Sequence, residues 1–273
     1  KVDGRQLLPL GKNLKLALVG PLADAGVQYQ GCWAVAARDN YPSLLDEMRR
    51  MDGISLKYAK GCNILEDERL EKIVTPGNAS RWDRRPLDEM ISEAVSAARN
   101  SDVVVAAMGE AANMSGESGS RTDISLPECQ KKLLKSLTGT GKPVVLVLFS
   151  GRPMTLAWEN EAMTSILQTW FGGSEAADAI TDVLFGDVNP SGKLTMSFPF
   201  SVGQIPVYYN MKNTGRDAYS KDYRRYASNW IDCPNEPLYP FGYGLSYTTF
   251  EYSPVALSDT VMTVNGAVKA KVT

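Results

Sequence analysis

The feature that most restricts the fold of this chain is a pair of almost continuously apolar runs, residues 102–108 (DVVVAAM) and 143–149 (PVVLVLF). A strand with one solvent-facing side alternates apolar and polar residues, whereas a strand buried on both faces need not. Both runs are rich in β-branched residues and lack alternation, so we predict that they are buried strands of a parallel sheet. Four further short apolar runs occur at residues 14–19, 55–59, 165–171 and 193–198.

Segments with helical periodicity lie between these runs, at residues 43–51, 86–99, 127–137 and 174–185. The second of them, PLDEMISEAVSAAR, repeats apolar residues at a spacing of three or four, which is typical of a helix with one buried face. Gly186 directly follows the last segment, and glycine is common just after a helix end. Strands that alternate with helices form βαβ units, so we predict an α/β fold with a mostly parallel sheet covered by helices on both faces.

The character of the chain changes after residue 200. Residues 201–250 are rich in Tyr, Asn, Gly and Pro and show little periodicity, which predicts a long surface excursion. Residues 254–273 alternate again and contain a turn signal at Asn265-Gly266. We interpret this stretch as the start of a β-sandwich segment that the chain does not complete.

The composition excludes several classes of function. With a net charge of −2 and a pI of about 5.4, the chain is not expected to bind nucleic acid or an anionic membrane. No apolar stretch reaches the ~18 residues of a membrane span. The four cysteines form no CxxC pair, which argues against a zinc site and leaves both free thiols and a disulfide open. Because the chain has no histidine, a Ser-His-Asp triad is excluded, and carboxylates become the first candidates for acid–base chemistry.

Ligands of open parallel sheets bind beyond the carboxyl ends of the strands. The loops expected at that edge are residues 20–33, 109–127, 150–153 and 172–175, so a glutamate, a tryptophan and several glycines should gather there. A nucleotide-binding domain is the alternative that this fold class suggests. We disfavour it because the chain has neither the GxGxxG pattern after its first strand nor a GxxxxGK[ST] loop.

Glu117, in the sequence SGESGSR, is the candidate catalytic residue, since its small neighbours let a carboxylic acid approach a glycosidic oxygen. The alternative is a solvated loop glutamate. Glu110 competes for the role, and its alternative is a charge paired with a loop arginine. Arg121 is a candidate substrate-binding residue or else braces the loop through an ion pair. Trp33 either stacks on a sugar ring or is a buried core tryptophan.

In their order and in their residues, several segments of the sequence resemble the C-terminal α/β-sandwich domain of glycoside hydrolase family 3. The resemblance is strongest to that domain of bacterial periplasmic β-glucosidases. The resemblance spans residues 7–252, and its most specific segments are FGDVNPSGKL, YPFGYGLSYT, SGESGSR and QGCW. It implies a retaining, exo-acting β-glucosidase in which a barrel domain supplies an aspartate nucleophile. Glu117 would then be the acid/base residue, and Trp33 would border the aglycone subsite. No metal or cofactor is implied.

The resemblance also implies boundaries: residues 1–13 as a linker from a missing N-terminal barrel, 14–252 as the sandwich domain, and 253–273 as the incomplete start of a fibronectin-III-like domain. The implied partners are that barrel and a β-glucoside or oligosaccharide substrate, in a periplasmic or secreted location. This chain alone is expected to be inactive. The alternative function is a non-catalytic interdomain scaffold or carbohydrate-binding module. A docking surface for the missing parts is expected at Tyr208, Tyr209, Tyr219, Tyr223, Tyr226 and Trp230.

Overall fold

A computed structural model describes residues 6–34, 41–76, 81–212, 214–216 and 223–273. The main sheet has five strands: β1 (Lys15–Val19), β2 (Ser55–Ala59), β3 (Val103–Gly109), β4 (Val144–Phe149) and β5 (Ser165–Gln168). Their spatial order is β2-β1-β3-β4-β5, and every neighbouring pair is parallel. The two apolar runs are therefore β3 and β4, which lie side by side with every residue buried. This confirms the parallel sheet predicted from them.

Six α-helices occur in the described ranges: α1 (Leu44–Arg50), α2 (Glu68–Val74), α3 (Leu87–Arg99), α4 (Glu128–Thr138), α5 (Ala157–Ala162) and α6 (Ala176–Phe185). Four of them, α1, α3, α4 and α6, confirm the segments with helical periodicity. Helices α2 and α5 were not predicted, because seven and six residues are too few to show a clear amphipathic pattern. Gly186 ends α6 in the left-handed conformation, with a φ of 83°. No helix in these ranges has both the length and the apolar character needed to cross a membrane.

The sheet has a separate hydrophobic core on each face, because successive side chains of a strand point to opposite sides. Val103 and Val105 of β3 belong to a cluster with residues of α1 and α6, whereas Val104 and Ala106 belong to a second cluster with residues of α3 and α4. Helices thus cover both faces, and the predicted α/β architecture is confirmed.

The sixth apolar run, residues 193–198, does not join the sheet. Phe198 forms an isolated antiparallel bridge with Tyr239, and the Leu194 N–H donates to the Tyr243 carbonyl oxygen at 2.8 Å. At Leu194 and Phe198, the backbone of this run therefore bonds to a later loop rather than to a neighbouring strand.

The structure of the described residues after position 200 agrees in outline with the prediction from the sequence. In residues 201–250, the described positions are irregular apart from the short 3-10 turn Val202–Gln204 and the bridge at Tyr239. The expected docking surface is exposed at its described members, Tyr208, Tyr209, Tyr223, Tyr226 and Trp230, whereas Tyr219 lies outside the described residues. Strands β6 (Ala256–Leu257) and β7 (Ala270–Lys271) form a small antiparallel pair. Its assignment to a fibronectin-III-like domain stays a prediction.

Candidate functional site

Four loops meet at the carboxyl edge of the sheet, as the βαβ pattern predicted. A Cβ atom added to Gly116, in the loop after β3, would lie 2.2 Å from Sγ of Cys32 and 3.4 Å from Cζ2 of Trp33, in the loop after β1. A Cβ on Gly151, after β4, would lie 1.9 Å from Oγ of Ser115. A side chain at either glycine would therefore displace Cys32 or Ser115, so the loops are closely packed at these points.

The loop that follows β5 joins the same assembly. Phe171 lies against Gly31, because a Cβ on that glycine would be 3.2 Å from Cδ2 of the ring. The N–H of Gly173 donates to the Tyr29 carbonyl oxygen at 2.9 Å. The expected gathering of Glu117, Trp33 and several glycines at one edge therefore exists in the structure.

Glu117 occupies the tip of a tight loop, residues 115–119, which we call the Glu117 loop. Its neighbours Gly116 and Ser118 both have left-handed backbones, with φ values of 110° and 60°, and the N–H of Gly119 donates to the Gly116 carbonyl oxygen at 3.1 Å. The Glu117 side chain is exposed and has no hydrogen-bond or ion-pair partner within the described ranges. Its carboxylate is therefore available to a group that approaches from outside this domain.

Trp33 is also open to solvent, with 70% of its surface exposed. The alternative of a buried core tryptophan does not describe this residue. Its indole borders Gly116, next to Glu117, so an aromatic face and a carboxylate lie on adjacent loops. The apolar face of an indole ring is suited to packing against the apolar side of a sugar ring. Its N–H group can remain hydrated at the same time.

Glu110 has a different environment. Its side chain is fully buried, and its carboxylate accepts from Nη1 of Arg121 at 2.9 Å and from Nε of Arg152, which lies 3.1 and 3.3 Å from the two carboxylate oxygens. This confirms the alternative that Glu110 is paired with a loop arginine. Arg121 also donates from Nη2 to the Ser125 carbonyl oxygen at 2.9 Å, so its guanidinium is engaged in bracing the loop.

Two residues that organise this edge were missed by sequence reasoning, Arg152 and Gln130. The buried amide of Gln130 accepts from the N–H of Gly109 at 2.8 Å and donates to its carbonyl oxygen at 2.9 Å. The backbone of Gly109, where β3 ends, is therefore satisfied by a side chain. The sequence did contain a signal for Gln130. It is a polar residue on the same face of a helical segment as Leu133, Leu134 and Leu137, which indicates a buried amide that needs partners.

The loop after β1 is held by Tyr29 and Gln28. The Tyr29 hydroxyl donates to the Leu22 carbonyl oxygen at 2.5 Å and accepts from the N–H of Leu44 at 3.3 Å. Burial raises the pKa of Tyr29 above its ordinary value, so the hydroxyl remains protonated. Oε1 of Gln28 accepts from the N–H of Ala112 at 2.8 Å. These bonds fix the chain that leads into Trp33.

A separate cavity of about 260 Å³ lies near the carboxyl ends of β1 and β2. Several of its charged groups form ion pairs: Arg81 with Asp24, and Arg85 with Asp83 at 2.7 Å and Glu93 at 2.8 Å. Nζ of Lys60 donates to the neutral Oδ1 of Asn63 at 2.7 Å. Burial lowers the pKa of Lys60. Neither Glu117 nor Trp33 is among the described residues that line this cavity, so it is distinct from the site built by the four loops.

The four-loop site therefore presents an exposed carboxylate, Glu117, and an exposed indole, Trp33, on adjacent loops. The described ranges contain no group of three His, Cys, Asp or Glu side chains arranged to hold a metal ion. All four cysteines lie in those ranges, and each is a free thiol.

Comparisons with known proteins show the family of this chain. The family model for the glycosyl hydrolase family 3 C-terminal domain matches residues 3–247. The chain is 48% identical over 271 residues to the periplasmic beta-glucosidase of Salmonella typhimurium, covering 98% of this chain and 35% of that protein. It is 38% identical over 283 residues to a beta-xylosidase of Formosa agariphila, covering 99% of this chain and 35% of that protein.

The fold is likewise that of solved enzymes. The crystal structure of a beta-glucosidase from Listeria innocua in complex with gluconolactone matches with a TM-score of 0.81 and 37% identity, covering 98% of this chain and 34% of that chain. This chain spans about a third of the length of these relatives. It belongs to the glycosyl hydrolase family 3 C-terminal domain family.

Proposed function

We propose that this chain supplies the acid/base carboxylate, Glu117, to the active site of a retaining, exo-acting β-glucosidase. The observation that carries the proposal is the juxtaposition of two exposed groups, Glu117 without a described partner and Trp33 beside the same loop. A carboxylic acid beside an aromatic platform suits protonation of a glycosidic oxygen whose aglycone rests on the ring. The similarity to β-glucosidases supports a β-glucoside or a related oligosaccharide as substrate.

In the proposed mechanism Glu117 acts twice. In the first step its protonated carboxyl group donates a proton to the glycosidic oxygen, and the aglycone leaves as an alcohol while the nucleophile bonds to the anomeric carbon. In the second step the Glu117 carboxylate removes a proton from water, whose oxygen displaces the nucleophile. Trp33 binds the aglycone by stacking. Arg121 serves the site through its bond to Glu110 rather than by direct contact with substrate.

Retaining cleavage needs two carboxyl groups about 5–5.5 Å apart. Glu110 is a poor candidate for the second one, because it is fully buried and held by two arginines. The relatives extend well beyond the region that this chain matches. We propose that their N-terminal barrel domain supplies the nucleophile, with residues 1–13 as the linker and 14–252 as the sandwich domain. Residues 253–273 would begin a fibronectin-III-like domain, and the chain alone would be inactive.

The proposed location is periplasmic or secreted, which the similarity to a periplasmic beta-glucosidase supports. The proposed partners are the barrel domain and the sugar substrate. A non-catalytic scaffold is the rival role, and the following experiment separates the two.

The test is hydrolysis of an aryl β-glucoside by this chain alone and by the enzyme that joins it to its N-terminal domain, with Glu117→Ala in the latter. We expect no turnover by the chain alone, loss of turnover by the variant, and rescue by azide with β-glucosyl azide as the product. Azide replaces the water that Glu117 would activate, so it does not need a general base. Glu161→Ala is the matched control, because Glu161 is an exposed glutamate just before β5, at the opposite edge of the sheet.

Two results would contradict the proposal. Turnover by this chain alone would mean that both carboxylates lie within its 273 residues. A variant that loses little activity and forms no glucosyl azide would favour the scaffold role.

A further inference from the structure

Arg152 ties the two ends of the Glu117 loop together. This residue lies in the turn after β4, and its Nη2 donates to the carbonyl oxygens of Met114 and Gly119, the latter at 2.8 Å. These carbonyls stand directly before and at the end of the loop that carries Glu117. One guanidinium nitrogen therefore fixes both attachment points of a segment whose tip has no described partner of its own.

The other side of the same guanidinium is anchored to the sheet. Nε of Arg152 binds the carboxylate of Glu110, which immediately follows β3 and is fully buried. The N–H of Gly151 approaches the same carboxylate at 3.4 Å. Arg121 adds a second tie, from Glu110 to the Ser125 carbonyl oxygen. Buried ionic hydrogen bonds of this kind are strong and directional, so they fix the position of the loop relative to the central strands.

The planar fork of arginine suits this task. Its Nε and Nη2 donate from one rigid plane in fixed directions, whereas a lysine ammonium offers a single point charge. The Arg152 side chain is only 20% exposed, so these bonds are shielded from competing water. The backbone of the Glu117 loop includes two left-handed residues and contains no helix or strand, so its own hydrogen bonding gives it little rigidity.

We propose that Arg152 is a positioning residue for acid/base catalysis, which sets the place of Glu117 relative to the glycosidic oxygen through the carbonyls of Met114 and Gly119. This rests on the proposed function of Glu117. Displacement of a catalytic group by about 1 Å can cost about 100-fold in rate. The loss should appear only where the leaving group needs a proton.

The test uses the enzyme with its N-terminal domain and a series of aryl β-glucosides, from 2,4-dinitrophenyl to phenyl, for which kcat/KM is plotted against leaving-group acidity. Three variants are compared: Glu117→Gln, Arg152→Met and Arg152→Lys. Arg99→Met, an exposed arginine in the last turn of α3, is the control. We expect Arg152→Met to lower kcat/KM by about 10- to 100-fold for phenyl glucoside and little for the dinitrophenyl substrate, with Arg152→Lys in between.

The outcomes separate the two proposals. If Glu117→Gln steepens the dependence on the leaving group and the Arg152 variants do not, the positioning role is overturned while the function of Glu117 stands. If Glu117→Gln does not steepen it, both proposals fall. An equal loss on all substrates would show that Arg152 has only a structural role. Arg152→Lys keeps a positive charge beside Glu110, so it decides the matter if Arg152→Met does not fold.

Discussion

Replacement of Tyr29 by phenylalanine tests how the loop after β1 is held. The ring stays in place, because it stacks on Phe149 with 4.5 Å between the ring centroids. Only the hydroxyl is lost, and with it the bonds to the Leu22 carbonyl oxygen and the Leu44 N–H. A 3.5 Å contact to the Ala23 carbonyl oxygen is lost as well, but that oxygen keeps its bond from the N–H of Leu45. Leu22 and Leu44 are both fully buried. The substitution therefore isolates the effect of two buried backbone groups that lose their partner.

The magnitude follows from those contacts. Each buried group left without a partner costs about 1–3 kcal/mol. Since the bond from Leu44 is long at 3.3 Å, we expect a total loss of about 2–4 kcal/mol in the free energy of unfolding. Tyr58→Phe is the matched control, because the Tyr58 hydroxyl has no hydrogen-bond partner in the part of the chain that the structure describes. Its cost should stay within about 0.5 kcal/mol.

The assay is urea denaturation of this chain, followed by circular dichroism, with the midpoint and the slope fitted separately. We expect the midpoint to fall for Tyr29→Phe while the slope is unchanged. If Tyr29→Phe costs no more than Tyr58→Phe, the two backbone groups do not depend on the hydroxyl, and the reasoning about this loop is refuted.

Two further predictions concern single side chains. Burial raises the pKa of Glu159 above its ordinary value of 4.5, so the folded state binds more protons and loses stability as pH rises through the interval above 4.5. Glu159→Gln should therefore raise the unfolding free energy at pH 7 and leave it nearly unchanged at pH 4. Urea denaturation at the two pH values measures both effects, and equal effects at pH 4 and pH 7 would contradict the prediction. Gly116→Ala should destabilise the chain by about 1–3 kcal/mol more than Gly141→Ala, because only Gly116 would place its Cβ against Cys32 and its φ of 110° is less accessible to alanine than the 72° of Gly141. Equal losses in the same assay would mean that the loop after β1 yields without cost.

Local sequence signals determined most of the architecture. The two apolar runs without alternation, rich in β-branched residues, predicted β3 and β4, and helical periodicity predicted α1, α3, α4 and α6, because both patterns are visible within a short window. Since parallel strands end at the same edge, the pattern also predicted that Glu117 and Trp33 would come together. The short helices α2 and α5 were not predicted, nor was the pairing of residues 193–198 with a later loop, since both depend on contacts outside the segment.

Only the tertiary structure decided how that edge is held together. Glu110 and Arg152 are 42 positions apart, and they meet because β3 and β4 are neighbours in the sheet. The sequence left Glu110 open as a rival to Glu117. Its complete burial between two arginines, and the exposure of Glu117 without a described partner, distinguish the two carboxylates. Burial and pairing of a charge depend on which strands and loops pack together, and no periodicity along the chain encodes that.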